Sequence, residues 1–177
     1  RAELSSNHFQ GSGFPSNWEA SVPSSVRPTQ EVGGNQYLRL QGPVTVRPQT
    51  QPLKDISVIC RVFSVEGGYQ LKLRDTPGGV VLLDYQTGNL TVTQFDGVGE
   101  VIQQENVPNV YNRERWENWQ FDFIGDSLNI YRDGLLRYEG RFTASPGAGQ
   151  IEFVAREGDI FGIDDCLISE ITTASNL

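Results

Sequence analysis

Few side chains in this sequence could carry catalytic chemistry. Its 177 residues include one histidine, His8, and two cysteines, Cys60 and Cys166. A histidine-activated nucleophile would have to use His8, which lies in the polar, glycine-bearing stretch 1–13. A transition-metal site needs a cluster of His and Cys ligands, and the composition does not provide one. The sequence therefore does not support nucleophilic catalysis or zinc-type chemistry.

The two cysteines occur in apolar, strand-like runs and allow two interpretations. They could be buried, inert thiols, or they could form one disulfide between an early strand and the last strand. A bond closing so long a loop would contribute about 4–5 kcal/mol in the chain-entropy model. It would also indicate an oxidising compartment. The residues alone leave both interpretations open.

The charge balance excludes some partners. The formal net charge is −8, which repels phosphate backbones and argues against nucleic acid. No stretch reaches the roughly 20 apolar residues of a membrane helix, so membrane insertion is not expected. The chain starts at Arg1 and contains no methionine. We interpret this start as a removed secretory leader or an excised domain, and we expect a secreted, extracellular or cell-surface protein.

The secondary-structure signal is that of short strands. Nineteen glycines and nine prolines punctuate segments in which apolar and polar residues alternate. The clearest is the hairpin Trp116 to Gly140, with Asp133-Gly134 as a type I′ turn that needs positive φ at both positions. The predicted core residues of this hairpin share one face at period two: Trp119, Phe121, Phe123, Leu128 and Ile130.

The pattern predicts an all-β fold in one domain. We expect a flexible N-terminal arm over 1–13, a single β-sandwich over 14–172, and a C-terminal tail over 173–177. Asn89-Leu-Thr91 is a glycosylation sequon beside a turn, so Asn89 is the predicted acceptor in a secreted protein.

Three stretches, taken in order, resemble the concanavalin A-like lectins and glucanases, which include laminin G-like and laminarinase-like members. They are the opening NHFQGSGFPSNWEAS, the hairpin SLNIYRDGLLRYEG and the ending GDIFGIDDCLIS. The resemblance spans nearly the whole chain. It implies a jelly-roll sandwich of two curved antiparallel sheets with the first and last strands close together. It also implies that the strand of Cys60 neighbours the strand of Cys166, which favours the disulfide.

The resembled superfamily contains hydrolases, lectins and adhesion modules, so fold alone does not give function. Its laminarinase-like members take their catalytic carboxylates from a Glu-x-Asp-x-x-Glu string on one strand, and this sequence lacks that string. The carboxylates that come closest do not have this spacing: Glu114, Glu117, Glu152, Glu157 and Asp159. We therefore predict a protein that is not an enzyme, with a glycoside hydrolase as the least favoured alternative.

Carbohydrate binding is the function that the resemblance favours most. Such a site uses exposed aromatic rings to stack on sugars, with amides and charged groups for the hydroxyls. The candidate ligand-binding residues are Tyr131, Trp116, Tyr85, Arg74, Gln70 and Asp122. The alternative is a structural or adhesive surface protein, or a filament subunit whose N-terminal arm adds to the sheet edge of another copy. The expected partner is therefore a polysaccharide or glycan, or a second copy of the chain.

A structural calcium ion is the one cofactor that the resemblance implies. Relatives often hold it between the first and last strands, and Ca²⁺ takes oxygen ligands. The matching positions here are Asp164 and Asp165, with backbone carbonyls near Gly11 or Gly13. Asn7 or His8 stands where the superfamily usually has an acidic residue.

Overall fold

The computed structural model describes residues 2–7, 17–86, 88–108, 115–142 and 146–171, with the backbone alone for 2–7 and Pro108. Within these ranges the chain forms strands and one 3₁₀ turn, Pro23–Ser25. None of the described residues forms a helix long and apolar enough to cross a membrane. The strands are β1 (Ala2–Asn7), β2 (Trp18–Ala20), β3 (Val26–Gln30), β4 (Gln36–Gln41), β5 (Val44–Pro48), β6 (Ile56–Glu66), β7 (Tyr69–Thr76), β8 (Gly79–Gln86), β9 (Asn89–Asp96), β10 (Val101–Pro108), β11 (Trp116–Ile124), β12 (Ser127–Arg132), β13 (Leu135–Arg141), β14 (Gln150–Ala155) and β15 (Ile160–Glu170).

The strands form two antiparallel sheets. Sheet A has the order β13-β12-β11-β6-β15-β4-β3, and β1 pairs with β15 beside this path. Sheet B has the order β10-β9-β8-β7-β14-β5-β2. The sheets face each other across one hydrophobic core. The predicted all-β, two-sheet antiparallel sandwich is therefore confirmed.

Period-two alternation supplies this core, as the sequence predicted. The inner residues of the hairpin, Trp119, Phe121, Phe123, Leu128 and Ile130, are all at most 2% exposed. Its turn has φ of 49° at Asp133 and 82° at Gly134, which are the two positive angles that a type I′ turn requires.

The N-terminus differs from the expectation of an arm over 1–13. Residues 2–7 form β1, which pairs with Cys166–Glu170 of β15. The edge of β15 is open there, because β4 pairs only with Ile160–Ile163. Main-chain hydrogen bonds to an open edge need no apolar alternation, so the sequence AELSSN carries no signal for this strand. His8, Gly11 and Gly13 lie outside the described residues.

The predicted disulfide is confirmed. Cys60 on β6 and Cys166 on β15 are bonded, with their Cα atoms 4.1 Å apart and a sequence separation of 106. Both side chains are buried. The bond therefore joins two neighbouring strands in the middle of sheet A, the arrangement that the resemblance implied.

We expect reduction of this disulfide to lower the free energy of unfolding by about 4–5 kcal/mol, because the loop that it closes is long. The measurement is urea unfolding, followed by tryptophan fluorescence, with and without a reducing agent. The double variant Cys60→Ala/Cys166→Ala is the control, since its stability should not respond to the reducing agent. Equal stability of the oxidised and reduced wild-type protein would contradict the prediction.

Candidate functional site

The predicted ligand-binding residues occupy three different locations. Trp116, Asp122 and Tyr131 lie on the outer face of sheet A, the face turned away from sheet B. Gln70 lies on the outer face of sheet B, opposite Asp84. The remaining two, Tyr85 and Arg74, lie in the interior. The structure therefore does not bring the six residues together.

Tyr85 is not available to an external ligand, which corrects the prediction. Its side chain is 0% exposed and stacks on Tyr69 with ring centroids 4.4 Å apart. Burial, with a contribution from Glu117, raises the pKa of Tyr85 well above its ordinary value. The sequence VVLLDY has apolar residues on both faces of β8, so alternation alone did not decide which face is inward.

Arg74 is also buried, which is the second correction. Its Nε donates to the Lys54 carbonyl at 2.9 Å and its Nη1 donates to the Gly125 carbonyl at 2.7 Å. The guanidinium carbon lies 3.5 Å from the centroid of the Phe123 ring. Burial lowers the pKa of Arg74 to about 10, and Asp55 partly opposes this effect. Arg74 therefore connects the loop at Lys54 to the turn at Gly125. Its side chain points inward because an irregularity in β7 reverses the alternation where Arg74 adopts φ of 52°.

Tyr131 and Asp122 are partly exposed, as the alternation predicted. Tyr131 lies opposite Gln120 on the neighbouring strand. The Asp122 carboxylate accepts hydrogen bonds from Ser57 Oγ at 2.6 Å and from Gln120 Nε2 at 3.0 Å. Both remain predicted ligand-binding residues, as does the partly exposed Gln70.

Trp116 belongs to a cluster of partly exposed side chains on the outer face of sheet A, which we call the aromatic cluster: Tyr37, Arg61, Phe63 and Trp116. The Trp116 ring centroid lies 5.3 Å from that of Tyr37, edge to face, and 5.4 Å from that of Phe63. The guanidinium carbon of Arg61 lies 4.6 Å from the Trp116 ring centroid. Cation–π attraction and aromatic packing thus hold Trp116 in one orientation.

Gly162 makes this cluster possible. Tyr37 on β4 and Trp116 on β11 are separated by β15 and β6, and Gly162 of β15 lies opposite Phe63 of β6. A Cβ atom at Gly162 would lie 2.6 Å from Cδ2 of Tyr37, which is closer than van der Waals contact. Because Gly162 has no side chain, the Tyr37 ring can lie across β15 and reach Trp116.

A polar rim borders the aromatic cluster, formed by Glu31, Asn35, Asp164 and Asp165. The Glu31 carboxylate accepts hydrogen bonds from the Trp116 indole Nε1 at 2.9 Å and from Asn35 Nδ2 at 2.8 Å. Asn35 Nδ2 also donates to Asp164 Oδ2 at 2.9 Å. We refer to the aromatic cluster and the polar rim together as the Trp116 site. It combines aromatic rings, carboxylates, an amide and a guanidinium in one patch.

Asp164 and Asp165, the predicted calcium ligands, are instead paired with a cation. Arg61 Nη1 lies 3.6 Å from Asp164 Oδ2 and 3.3 Å from Asp165 Oδ2. The other oxygen of Asp164 accepts the backbone N–H of Asp165 at 2.9 Å. Among the described residues, no three His, Cys, Asp or Glu side chains are grouped so that they could hold a metal ion. Calcium binding stays a prediction, because the carbonyls expected near Gly11 and Gly13 lie outside the described residues.

Five members of the Trp116 site were not singled out from the sequence: Glu31, Asn35, Tyr37, Arg61 and Phe63. A signal existed for Phe63, because Cys60 and Val62 are inward and alternation turns Phe63 outward. No sequence signal indicated that the side chains of four strands and a loop would meet.

Asn89 lies partly exposed at the start of β9, and its glycosylation stays a prediction.

No protein-family model and no curated protein matches the sequence. Solved structures do match. A β-glucanase of Bacillus licheniformis has a TM-score of 0.70 at 11% identity, covering 97% of this chain and 99% of that one. The carbohydrate-binding module CBM66 of Bacillus subtilis has a TM-score of 0.63 at 13% identity, covering 87% and 96%. The galectin LEC-6 of Caenorhabditis elegans has a TM-score of 0.60 at 14% identity, covering 73% and 92%.

These similarities identify the architecture as the concanavalin A-like jelly-roll sandwich. The fold implied by the sequence resemblance is therefore confirmed. Because the identities are low, the similar structures describe the fold of this chain and leave its ligand to be inferred from its own residues.

We expect Gly162→Ala to destabilise the protein by about 1–3 kcal/mol, because the new methyl group overlaps the Tyr37 ring. In a Tyr37→Ala background the same substitution should cost less, since the ring is absent. Urea unfolding of the wild-type protein, the two single variants and the double variant measures this coupling.

The matched control for this cycle is Gly147→Ala, because a Cβ at Gly147 meets no atom within 4 Å. Its stability should stay close to that of the wild-type protein. Additive effects of Gly162→Ala and Tyr37→Ala would show that the Tyr37 ring does not depend on Gly162.

Asp164 should make stability depend on pH. Burial raises its pKa above the ordinary value of 3.8, although hydrogen bonds from Asn35 and from the Asp165 backbone oppose this shift. The folded state therefore binds the proton more tightly than the unfolded state. The resulting stabilisation is fully present below about pH 3.8 and is lost as the pH rises through the folded-state pKa.

We therefore expect the wild-type protein to gain stability relative to Asp164→Asn as the pH is lowered from 7 to 4. Urea unfolding of both proteins at several pH values measures this difference. A loss of relative stability over the same range would mean that Arg61 and Asn35 lower the pKa of Asp164 instead.

Proposed function

We propose that this protein binds carbohydrate at the Trp116 site and does not cleave it. The observation that carries the proposal is a partly exposed tryptophan on the outer face of sheet A, packed against Tyr37 and bordered by carboxylate and amide groups. A sugar ring has an apolar face that stacks on an aromatic ring and hydroxyl groups that hydrogen-bond to polar side chains. The Trp116 site offers both within one patch.

The Trp116 side chain is already held in place before any ligand arrives. Its indole N–H donates to Glu31, its ring forms a T-shaped pair with that of Tyr37, and the guanidinium of Arg61 lies over its ring. A ligand that binds to an ordered ring does not have to order it, which removes part of the entropic cost of association. The fixed geometry therefore supports a binding role.

The outer face of sheet B is less suited to sugar stacking. Its polar groups form ion pairs, of Arg47 with Glu19 and Glu152 and of Lys72 with Glu152, as Arg61 does with Asp164 and Asp165 on sheet A. The two faces differ instead in their aromatic side chains. Among the described residues of sheet B, Phe95 is the one aromatic side chain that is not buried. This contrast between the faces favours sheet A.

The arrangement of carboxylates on sheet B argues against glycoside hydrolysis there. Burial raises the pKa values of Asp84 and Glu152, as a general acid would require. However, Asp84 lies opposite Gln70 and Glu152 lies opposite Lys72 on the two sides of β7. Sheet spacings put their Cα atoms about 12 Å apart. A retaining glycosidase needs its two carboxyl groups about 5–5.5 Å apart, whereas here Asp84 is paired with Arg156 and Glu152 with Lys72.

The similar folds support carbohydrate binding, and the disulfide supports the expected location of the protein. The similar structures include a carbohydrate-binding module and a galectin. A disulfide persists in oxidising compartments, which supports an extracellular or cell-surface location. In contrast, β1 pairs with β15 of its own chain, so these residues do not favour filament assembly through an N-terminal arm. A structural or adhesive role stays a prediction.

We expect Trp116→Ala and Tyr37→Ala each to weaken glycan binding at least about tenfold, because truncation of a central aromatic anchor typically costs 2 kcal/mol or more. A glycan array with the purified protein identifies the ligand, and isothermal titration with that glycan measures the variants. The incubated glycan should show no new reducing ends.

The matched control is Phe95→Ala, which removes a partly exposed aromatic ring from the opposite sheet and should leave affinity unchanged. Melting temperatures of all three variants show whether they are folded. An array with no bound glycan would contradict the proposal, and so would a folded Trp116→Ala variant with wild-type affinity. Release of reducing ends would show that the protein is an enzyme.

A further inference from the structure

Two arginines face each other at the edge of sheet A that is formed by β3 and β4. Arg27 of β3 and Arg39 of β4 are direct partners in the antiparallel register, and both are on the outer face. Like charges directly opposite each other destabilise a strand pair. Among the described residues, no carboxylate lies within 4.0 Å of either guanidinium. Within the part of the chain that the structure describes, the pair is therefore a positive charge without a carboxylate partner, on a protein of net charge −8.

The two arginines line a pocket of about 250 Å³. The pocket is lined by Ser24, Ser25, Arg27, Arg39, Gln41 and Gly42. Serine hydroxyls, a glutamine amide and two guanidinium groups are all hydrogen-bond donors. Its volume is below the roughly 300–1,000 Å³ of sites that enclose a whole small molecule. The pocket therefore suits a single charged group and a part of the larger molecule that bears it. A pocket of donors with two positive charges is a site for an oxyanion.

The pocket is next to the Trp116 site. Arg39 and Tyr37 are two residues apart on the same face of β4, a separation of about 7 Å along a strand. Arg39 also lies opposite Gly162, the residue over which the Tyr37 ring reaches Trp116. A sugar ring that contacts Tyr37 is thus within one sugar length of the arginine pair.

We infer that the Arg27–Arg39 pocket binds an anionic substituent, a carboxylate or a sulfate ester, of an acidic polysaccharide whose sugar ring contacts the Trp116 site. This inference rests on the proposed function and specifies the class of glycan. An oxyanion between the two guanidinium groups accepts bidentate hydrogen bonds and relieves their mutual repulsion. The rest of the acidic surface repels polyanions, so this pocket supplies local attraction against an unfavourable overall charge.

The test uses two polysaccharide pairs, each matched in backbone: polygalacturonate with its methyl-esterified form, and dextran sulfate with dextran. Isothermal titration should show tighter binding of at least one anionic polymer than of its neutral partner. The pair that shows the difference identifies the anion as carboxylate or sulfate. Arg39→Gln and Arg27→Gln should each weaken this binding at least about tenfold, and added NaCl should weaken it further.

The matched control is Arg137→Gln. Arg137 is exposed on β13 at the opposite edge of sheet A, so the substitution changes net charge by the same amount without touching the pocket. It should leave affinity unchanged. Without ligand, Arg39→Gln should melt at or above the wild-type temperature, because it relieves the like-charge pair. A clear fall in its melting temperature would instead show that Arg39 is structural and would overturn the inference.

Equal binding of the anionic and neutral polymers would overturn the inference, and so would an equal loss of affinity in Arg39→Gln and Arg137→Gln. These outcomes are separable from failure of the proposed function. If Trp116→Ala weakens binding and Arg39→Gln does not, only the anion pocket is wrong. If Arg39→Gln weakens binding and Trp116→Ala does not, the pocket binds anions but the carbohydrate site around Trp116 is wrong.

Discussion

The antiparallel pairing of β6 with β15, joined by the Cys60–Cys166 disulfide, is the interaction on which the rest of the molecule depends. β15 is paired with β6 along one side and with β4 and β1 along the other. Every strand that contributes to the Trp116 site either belongs to this group or, like β11, pairs directly with β6. The covalent link therefore stabilises both the centre of sheet A and the scaffold beneath its outer face.

One pattern of alternation produces both the core and the site. On β6, Cys60 and Val62 point inward while Arg61 and Phe63 point outward. A slip of one residue in the register would exchange these two sets, burying Arg61 and exposing the core. Because the apolar side chains must be buried, the same alternation determines which side chains face a ligand. Gly162 adds a local condition, because its missing side chain leaves room for Tyr37.

Sequence reasoning succeeded where alternation was unambiguous. The hairpin from Trp116 to Gly140 has polar residues between its apolar ones, so its inner face and turn could be predicted. The sequence-based prediction failed at Tyr85, where both faces of the strand are apolar, and at Arg74, where a backbone irregularity reverses the alternation. It also missed β1, because pairing with an open strand edge uses main-chain groups that every sequence possesses.

The sequence by itself determined the fold class, the hairpin core and the cysteine positions, because alternation and turn residues are local features that can be identified along the chain. Only the tertiary structure decided that Trp116 meets Tyr37 over Gly162, that Asp164 and Asp165 pair with Arg61, and that Arg27 faces Arg39. These contacts join residues far apart in the chain. They depend on which strands become neighbours and in which register, and the local pattern of one sequence specifies neither.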